Sequence, residues 1–326
     1  MKVIIPLAGL GTRLRPHTYT KPKPLLNVAG KPILGHMLDR LGGIDIEEMI
    51  FIVGYLGEQI EEYVEANYHF AARYLRQEEL LGQAHAIYLA KNYVQGPVLI
   101  LFVDTIFEAE LGGLGDVSTD GVIYVKEVDD PSRFGVVLVE DGLITKLVEK
   151  PSVPVSNLAI IGLYYIVDSK LLFECIDELM RIGKTIEKEY YLADALQIMI
   201  DRGAKFSAIP VEVWEDCGKP ETLLATNRYL LKKGGGQEIE TRNSIIIPPV
   251  HIAQTASITN SIIGPYVSIA QRCVVVGSII QDSIINEGAH IENVTLTQSL
   301  VGSHTWVRGA YNKLDVGDSS QVDLSP

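Results

Sequence analysis

The strongest constraint on the fold is a repeat. Ser244-Ile245-Ile246, Ser261-Ile262-Ile263 and Ser278-Ile279-Ile280 begin 17 residues apart, and Ser283-Ile284-Ile285 and Ser299-Leu300-Val301 begin 16 apart. Apolar residues also recur six apart, at Ile252 and Ile258, Ile263 and Ile269, Ile285 and Ile291, Val301 and Val307. A six-residue step within a coil of about 17 predicts a parallel β-helix with three faces per turn. One coil cannot bury its own Ile and Val, so coils must stack on one another. The polar stretch 315–326 is expected to be a loose cap.

Before the repeats the pattern is an alternation of strands and helices. Val3-Ile4-Ile5, residues 49–53, a run ending at Leu75 and residues 98–103 read as buried strands. Helices are expected over 32–41, 58–66 and 83–94, the first stopped by Gly42-Gly43. This alternation predicts an α/β fold with a mainly parallel mixed sheet, whose ligands bind beyond the carboxyl ends of the strands. After Gly121 the pattern turns strand-rich, with runs over 122–128, 134–139, 144–148 and 159–167 that extend the sheet. Helices are then expected over 169–180, 190–200 and 220–231. Lys232-Lys233-Gly234-Gly235-Gly236-Gln237 reads as a linker, dividing the chain into domains 1–236 and 237–326.

A hydrophobic fraction of 47% against 21% charged residues fits a packed globular chain and not a disordered one. A formal charge of −13 argues against nucleic acid and anionic membranes as partners. Any phosphate site must then be locally basic, as Arg13, Arg15, Lys21 and Lys23 are. Cys175, Cys217 and Cys273 lie far apart and form no metal-ligand spacing, which reads as reduced thiols in a cytoplasmic protein. Met1-Lys2 leads straight into a strand, so no signal peptide is expected, and no apolar run nears the ~20 residues that span a bilayer.

The loop Leu7-Ala8-Gly9-Leu10-Gly11-Thr12-Arg13-Leu14-Arg15-Pro16 follows the first strand. Its glycines allow a tight turn and close approach of backbone N–H groups to a phosphate. Thr12 and Arg13 add a hydroxyl and a guanidinium. A P-loop would need a closing GK[ST], which is absent, and the dinucleotide fingerprint would need glycine where Leu14 stands. The whole run LAGLGTRLRP…KPKPLLNVAGKPIL instead resembles the signature of sugar-1-phosphate nucleotidylyltransferases. With coils following the catalytic part, the order is similar to that of the long-form glucose-1-phosphate thymidylyltransferase group.

The resemblance implies a Rossmann-like nucleotidyltransferase domain followed by a small left-handed β-helix. It assigns Leu7, Ala8, Gly9, Gly11, Thr12 and Arg13 to the nucleotide, and Lys23 to a bridge between nucleotide and sugar phosphates. Gln77 and Gly82 fall in a segment like the family's base-reading QxxxxG, and Gln in place of Glu points to dTTP or UTP. Gln83 departs from the family's usual residue there. Val148-Glu149-Lys150-Pro151 resembles the EKP motif, with Glu149 on sugar hydroxyls and Lys150 on the sugar phosphate. Gly135, Asn157, Ile160, Gly162 and Tyr164 match the lining of the sugar pocket.

Asp104 and Asp216 match the Mg²⁺ carboxylates, although Phe102-Val103-Asp104-Thr105 and Cys217 depart slightly from the pattern. A helix N-cap is the alternative role for Asp104. Arg13, Lys23, Asp104 and Asp216 form the implied catalytic set. The implied activity joins a nucleoside triphosphate to a sugar-1-phosphate, glucose-1-phosphate being the expected sugar, and the exposed ends and faces of the coils lead to the expectation of a homo-oligomer. Two alternatives remain: a non-catalytic regulatory paralogue that binds nucleotide-sugar, and a bifunctional enzyme with acyltransferase activity in its coils, where His251, His290 or His304 would be the base. Every residue assigned to the transfer precedes residue 235, so the coils are expected to be dispensable for it.

Overall fold

The computed structural model describes every residue except 154, 235–240, 310–313 and 325–326. The proposed boundary at 236/237 lies outside the described residues. Two compact units emerge, Met1–Gly9 with Asp39–Trp214, and Leu10–Leu38 with Glu215–Pro326.

The first unit is built on one nine-stranded sheet. Its strands are β1 (Lys2–Pro6), β2 (Glu48–Val53), β3 (Ala72–Arg76), β4 (Val98–Leu101), β5 (Gly121–Glu127), β6 (Gly135–Glu140), β7 (Leu143–Glu149), β8 (Leu158–Ile166) and β9 (Phe206–Pro210). They lie in the order 3-2-1-4-8-5-9-7-6. Strands 3, 2, 1 and 4 are mutually parallel, as the alternation predicted. Beyond β4 the sheet differs from a mainly parallel one: β8 is antiparallel to both β4 and β5, β9 is parallel to β5, and β7 is antiparallel to its neighbours. One reversal is the tight turn at Asp141-Gly142 between β6 and β7, which sends the chain back where a helical crossover would have kept its direction.

The chain leaves β1 towards β2 and β3 on one side and returns to β4 on the other. This makes a switch point between β1 and β4, where loops at the strands' carboxyl ends diverge and leave room for a ligand. Val3, Ile4 and Ile5 and all of β4 are fully shielded from solvent, as strands covered on both faces must be. Helices Gln83–Tyr88, Ser169–Ile182 and Leu192–Asp201 pack Ile87, Leu172, Ile176, Leu196 and Met199 into this core. The first of these stops short of the expected 83–94, because the chain tightens into i→i−3 bonds from Ala90, Lys91 and Tyr93. A short strand Thr105–Glu108 has no counterpart in the sequence expectations.

In the second unit, residues Leu10–Leu38 carry three single 3₁₀ turns, Thr12–Leu14, His17–Tyr19 and Lys23–Leu25. Helix Pro220–Gly234 follows, and then three parallel sheets of short strands stack in the register of the repeat. Ile245 lies beside Ile262 and Ile262 beside Ile279, and the inward Ile263, Ile280 and Leu296 are fully buried. Each fully buried side chain of this kind contributes about 1.5–3 kcal/mol. The repeated serines form a second ladder at the corners: Ser244 Oγ accepts from Ser261 N–H, Ser261 Oγ from Ser278 N–H, and Ser278 Oγ from Val294 N–H, at 3.1–3.2 Å. These stacked sheets are the three-faced β-helix that the spacing predicted. The expectation of a loose cap does not hold, because Asp315–Val316 and Gln321–Leu324 pair in register as a further coil, with Val316 buried. No helix among the described residues is long and apolar enough to cross a membrane.

Candidate active site

In the first unit, Leu7 and Ala8 are buried at the carboxyl end of β1, and Leu7 N–H donates to Ile52 O at 2.7 Å. Gly9 is exposed and a Cβ there would meet nothing within 4 Å. The protein's own packing therefore gives no reason for glycine at this position. Ala8 presses against Gly54, where a Cβ would come within 2.8 Å of Ala8 O, so the loop backbone is held from beneath.

Gln77, one residue past β3, is buried. Its Nε2 donates to Gly82 O at 3.2 Å and to His85 Nδ1 at 3.0 Å. Burial lowers the His85 pKa, against a smaller upward pull from Glu79, which keeps the ring neutral and able to accept at Nδ1. Gly82 has φ +97, and a Cβ would lie 2.7 Å from both Tyr190 N and Tyr190 O. Contact with the Tyr190 backbone thus suffices to require glycine there, independently of any base.

Glu149, at the end of β7, presses on Gly135, where a Cβ would lie 2.8 Å from Glu149 Oε2 and 3.2 Å from Ile160 Cδ1. Burial pushes the Glu149 carboxyl up to about 7; Lys150 opposes this, and Asp194 and Glu189 add to it. Lys150 has φ +43 and donates through Nζ to Tyr191 Oη at 2.7 Å and Glu187 Oε2 at 3.4 Å. Burial pulls its pKa down, but these partners prevail and the net shift is upward. The Tyr164 phenol is buried and held neutral by desolvation first, then by the charges of Glu149 and Asp104. Gly162 interrupts the register of β8 between Ile160 and Tyr164, with φ +85 and Phe102 Cβ 2.9 Å from where its own Cβ would stand.

Asp104 is exposed, three residues beyond the end of β4 and directly before Thr105–Glu108. Although the strand before it is apolar throughout, the carboxylate therefore carries no desolvation cost. An N-cap role does not arise either, since a strand follows.

In the second unit, Gly11 adopts φ +62, and a Cβ would sit 3.1 Å from Lys23 Cβ and from Thr18 Cγ2. Thr18 Oγ1 donates to Gly11 O at 2.9 Å. The two parts of the signature, the glycine loop and the Lys-Pro-Lys-Pro segment, are thus packed together. Thr12 and Arg13 are exposed. Asp216 Oδ1 accepts from Gly218 N–H at 2.7 Å, and a Cβ on Gly218 would lie 2.8 Å from that oxygen and 3.0 Å from Arg13 Nη2. Asp216 and Arg13 therefore flank one glycine. His85 and Tyr191 were not singled out in the sequence. The turn between Gln77 and the helix beginning at Gln83 could have pointed to His85, whereas Tyr191 lies 41 residues from Lys150 with no local signal.

Residues 2–233 match the Nucleotidyl transferase family over most of the chain. The chain belongs to this family. The bifunctional protein GlmU of Methanococcus vannielii is 34% identical over 239 residues, covering 71% of this chain and 55% of that protein. The chain thus spans about half the length of the GlmU relatives it matches. The UTP–glucose-1-phosphate uridylyltransferase AglF of Haloferax volcanii is 34% identical over 230 residues, covering 68% of this chain and 93% of that one. A solved UDP-glucose pyrophosphorylase complexed with UDP-glucose superimposes with a TM-score of 0.63 at 25% identity, over 71% of this chain and 98% of its own. The nucleotidyl transferase fold, Rossmann-like with a mixed sheet, thus accounts for the first 233 residues, and the coils lie beyond the match.

Proposed function

We propose that this nucleotidyl transferase joins a nucleoside triphosphate, dTTP or UTP, to glucose-1-phosphate. An oxygen of the sugar phosphate attacks the α-phosphorus, the bond from that phosphorus to the bridging oxygen breaks, and pyrophosphate leaves. The observation that carries the reading is the pairing of a bare Gly9 with a left-handed Gly11 seated on Lys23. Open space beside a glycine is shared by other turns, such as those at Gly43 and Gly142, so the lysine stem packed on the left-handed Gly11 is what distinguishes this loop. Leu7, Ala8, Gly9, Gly11, Thr12 and Arg13 grip the triphosphate, Lys23 bridges the phosphates, and Gln77 reads the base. Glu149 and Tyr164 face sugar hydroxyls beside Gly135 and Ile160, and Lys150 holds the sugar phosphate. The attacking phosphate is already anionic, so no protein base is required, and positioning and electrostatics supply the rate.

Mg²⁺ belongs to the same proposal, with Asp104 and Asp216 as its donors. Among the described residues no three His, Cys, Asp or Glu side chains gather as a metal site. Mg²⁺ does not need three, since it takes one or two carboxylates with phosphate oxygens and water. An exposed Asp104 and an Asp216 with one oxygen anchored by Gly218 fit that donor set. When bound, the ion would neutralise charge on the transferring phosphate. We further propose a catalytic part over 1–236, a left-handed sense for the coils over 237–326, and a cytoplasmic homo-oligomer.

The test is Mg²⁺-dependent pyrophosphate release from every pairing of the common triphosphates with several sugar-1-phosphates. Release that requires both substrates, and is fastest with dTTP or UTP and glucose-1-phosphate, is expected. Tight nucleotide-sugar binding without release in any pairing would leave the regulatory paralogue as the answer.

A further inference from the structure

The segment carrying the phosphate-gripping residues is tied to the last coil of the β-helix. His17, buried in its 3₁₀ turn, donates through Nε2 to Asp315 Oδ1. Thr20 Oγ1 donates to Asp318 Oδ2. Asp318 is itself held from the coil side, where its Oδ1 accepts from Ser303 N–H at 2.6 Å. Between the two aspartates, Gly317 lies flat against Pro16, with only 2.9 Å from the position of a Cβ to Pro16 Cβ. A side chain at 317 would push the two segments apart.

These contacts continue into the loop. Thr18, between His17 and Thr20, holds Gly11 O, and Gly11 is packed on Thr18 and Lys23. Gly11 O also accepts from Leu14 N–H at 2.9 Å, closing the turn that presents Thr12 and Arg13. A contiguous path therefore runs from Asp315, Gly317 and Asp318 through Pro16, His17 and Thr20 to Gly11 and Lys23. The loop's own turns are three residues long each, too short to hold one geometry alone.

We propose that Asp315 and Asp318 are positioning residues. The turn they bracket on the β-helix fixes the conformation of the 11–23 loop, and so sets its affinity for a triphosphate. This rests on the reading of that loop as the triphosphate grip. It reverses the expectation that the coils are dispensable.

The test uses full-length protein with Asp315→Ala, Asp315→Asn, Thr20→Val and the pair Asp315→Ala/Asp318→Ala. Amide hydrogen exchange is read over 11–26, where Leu14, Arg15, Tyr19, Leu25 and Leu26 N–H groups are bonded within the segment. It is read in parallel over 245–301 as a control for the coils. In the double variant the loop amides should exchange at least about tenfold faster, with the coil amides unchanged and KM for the triphosphate raised about tenfold at nearly constant kcat. Asp315→Asn keeps a carbonyl acceptor for His17 and should behave as wild type. Thr20→Val cuts the tie from the loop side, leaves the coil intact, and should give an intermediate effect. Loop exchange at the wild-type rate in both the double variant and Thr20→Val would overturn the proposal. If the wild type transfers no nucleotide at all, the functional reading fails, while the exchange rates still decide whether the coil holds the loop.

Discussion

Gln77 and His85 meet at 3.0 Å, nitrogen to nitrogen, and the contact fixes which way the Gln77 amide faces. The same Nε2 lies 3.2 Å from Gly82 O, which can only accept, so the NH₂ end is turned inward on the protein. Neither donor remains for a ligand, and among the described residues none is bonded to Oε1. Gln77 thus offers a ligand an acceptor and nothing else. The N3–H of uracil or thymine supplies the matching donor, whereas cytosine presents a bare N3.

The first prediction follows from this polarity. Wild-type kcat/KM should favour UTP and dTTP over CTP by about ten- to a hundredfold, the value of a mismatch costing on the order of 1–3 kcal/mol. Gln77→Glu would set a carboxylate oxygen against the Gly82 carbonyl and His85 Nδ1. The measured kcat/KM for UTP and dTTP should fall by a similar factor. His85→Phe removes one of the two partners and should reduce the UTP to CTP ratio several-fold. Preference for CTP in the wild type, or ratios untouched by either change, would remove this amide from base recognition.

The parallel half of the sheet and the β-helix were legible in the sequence because both obey a period. Val3, Ile4 and Ile5, residues 49–53 and the inward Ile263 and Ile280 announce buried strands by pattern alone. Strand direction beyond β4 is set by turns and tertiary pairing, on which residue period is silent. Of the candidate site, the loop and the EKP-like segment were marked by their resemblance to the family's motifs and not by spacing alone. What spacing concealed was the partnership of distant residues, such as Lys150 with Tyr191 and His17 with Asp315, 41 and 298 positions apart. The exposure of Asp104 was hidden for a related reason. Apolar residues before it suggested burial, yet the strand ends at Leu101, and Phe102 still bonds to the neighbouring β8 through its N–H to Gly162 O at 2.9 Å, two residues before Asp104 emerges into solvent.

The carboxylates assigned to Mg²⁺ can be tested separately. Asp216→Asn keeps a carbonyl oxygen for Gly218 N–H, so the local turn should survive, and Asp104→Asn changes an exposed side chain. Thermal unfolding should shift little in either variant, while Mg²⁺-dependent turnover falls by about a hundredfold or more, the size of effect expected on losing a preorganised electrostatic partner. Turnover near wild type in Asp216→Asn would show that its carboxylate is not needed by the metal.

Glu149 makes stability depend on pH in a stated direction. Burial lifts its pKa from an ordinary 4.5 to about 7. Between these values the unfolded chain has released a proton that the folded chain retains. Stability contributed by the protonated form is therefore fully present below about pH 4.5, declines as pH rises towards 7, and is lost above it. Glu149→Gln should abolish that decline in urea titrations run from about pH 5 to pH 8, and should raise KM for the sugar-1-phosphate severalfold. Identical pH slopes in the two proteins would mean that this carboxyl is solvated in the folded state.

Asn227 yields the sharpest stability test in the second unit. It is fully buried on helix Pro220–Gly234, and Oδ1 accepts from Ala29 N–H at 2.8 Å and from Ser268 Oγ at 2.6 Å. Its Nδ2 donates to Tyr266 O at 3.3 Å. One amide therefore satisfies Ala29, at the turn of the hairpin formed by the short strands Asn27–Val28 and Lys31–Pro32, and two positions of a coil. Asn227→Ala would leave Ala29 N–H and Ser268 Oγ unpaired, since Tyr266 O still accepts from Ser283 N–H, and a loss on the order of 3 kcal/mol is expected from desolvation alone. Asn227→Asp is the more informative change, because it keeps Oδ1 but sets an oxygen where Nδ2 met the Tyr266 carbonyl. The protonated acid can still donate to that carbonyl, whereas the carboxylate can only repel it. Burial and this carbonyl should both raise the new group's folded pKa above its unfolded value near about 3.9. The variant should then be close to wild type at about pH 4 and lose stability steadily as pH rises towards 7. Denaturant midpoints measured across that range decide the matter. A variant whose midpoint relative to wild type does not vary with pH would show that solvent reaches position 227 and that the shared amide does not join hairpin to coil.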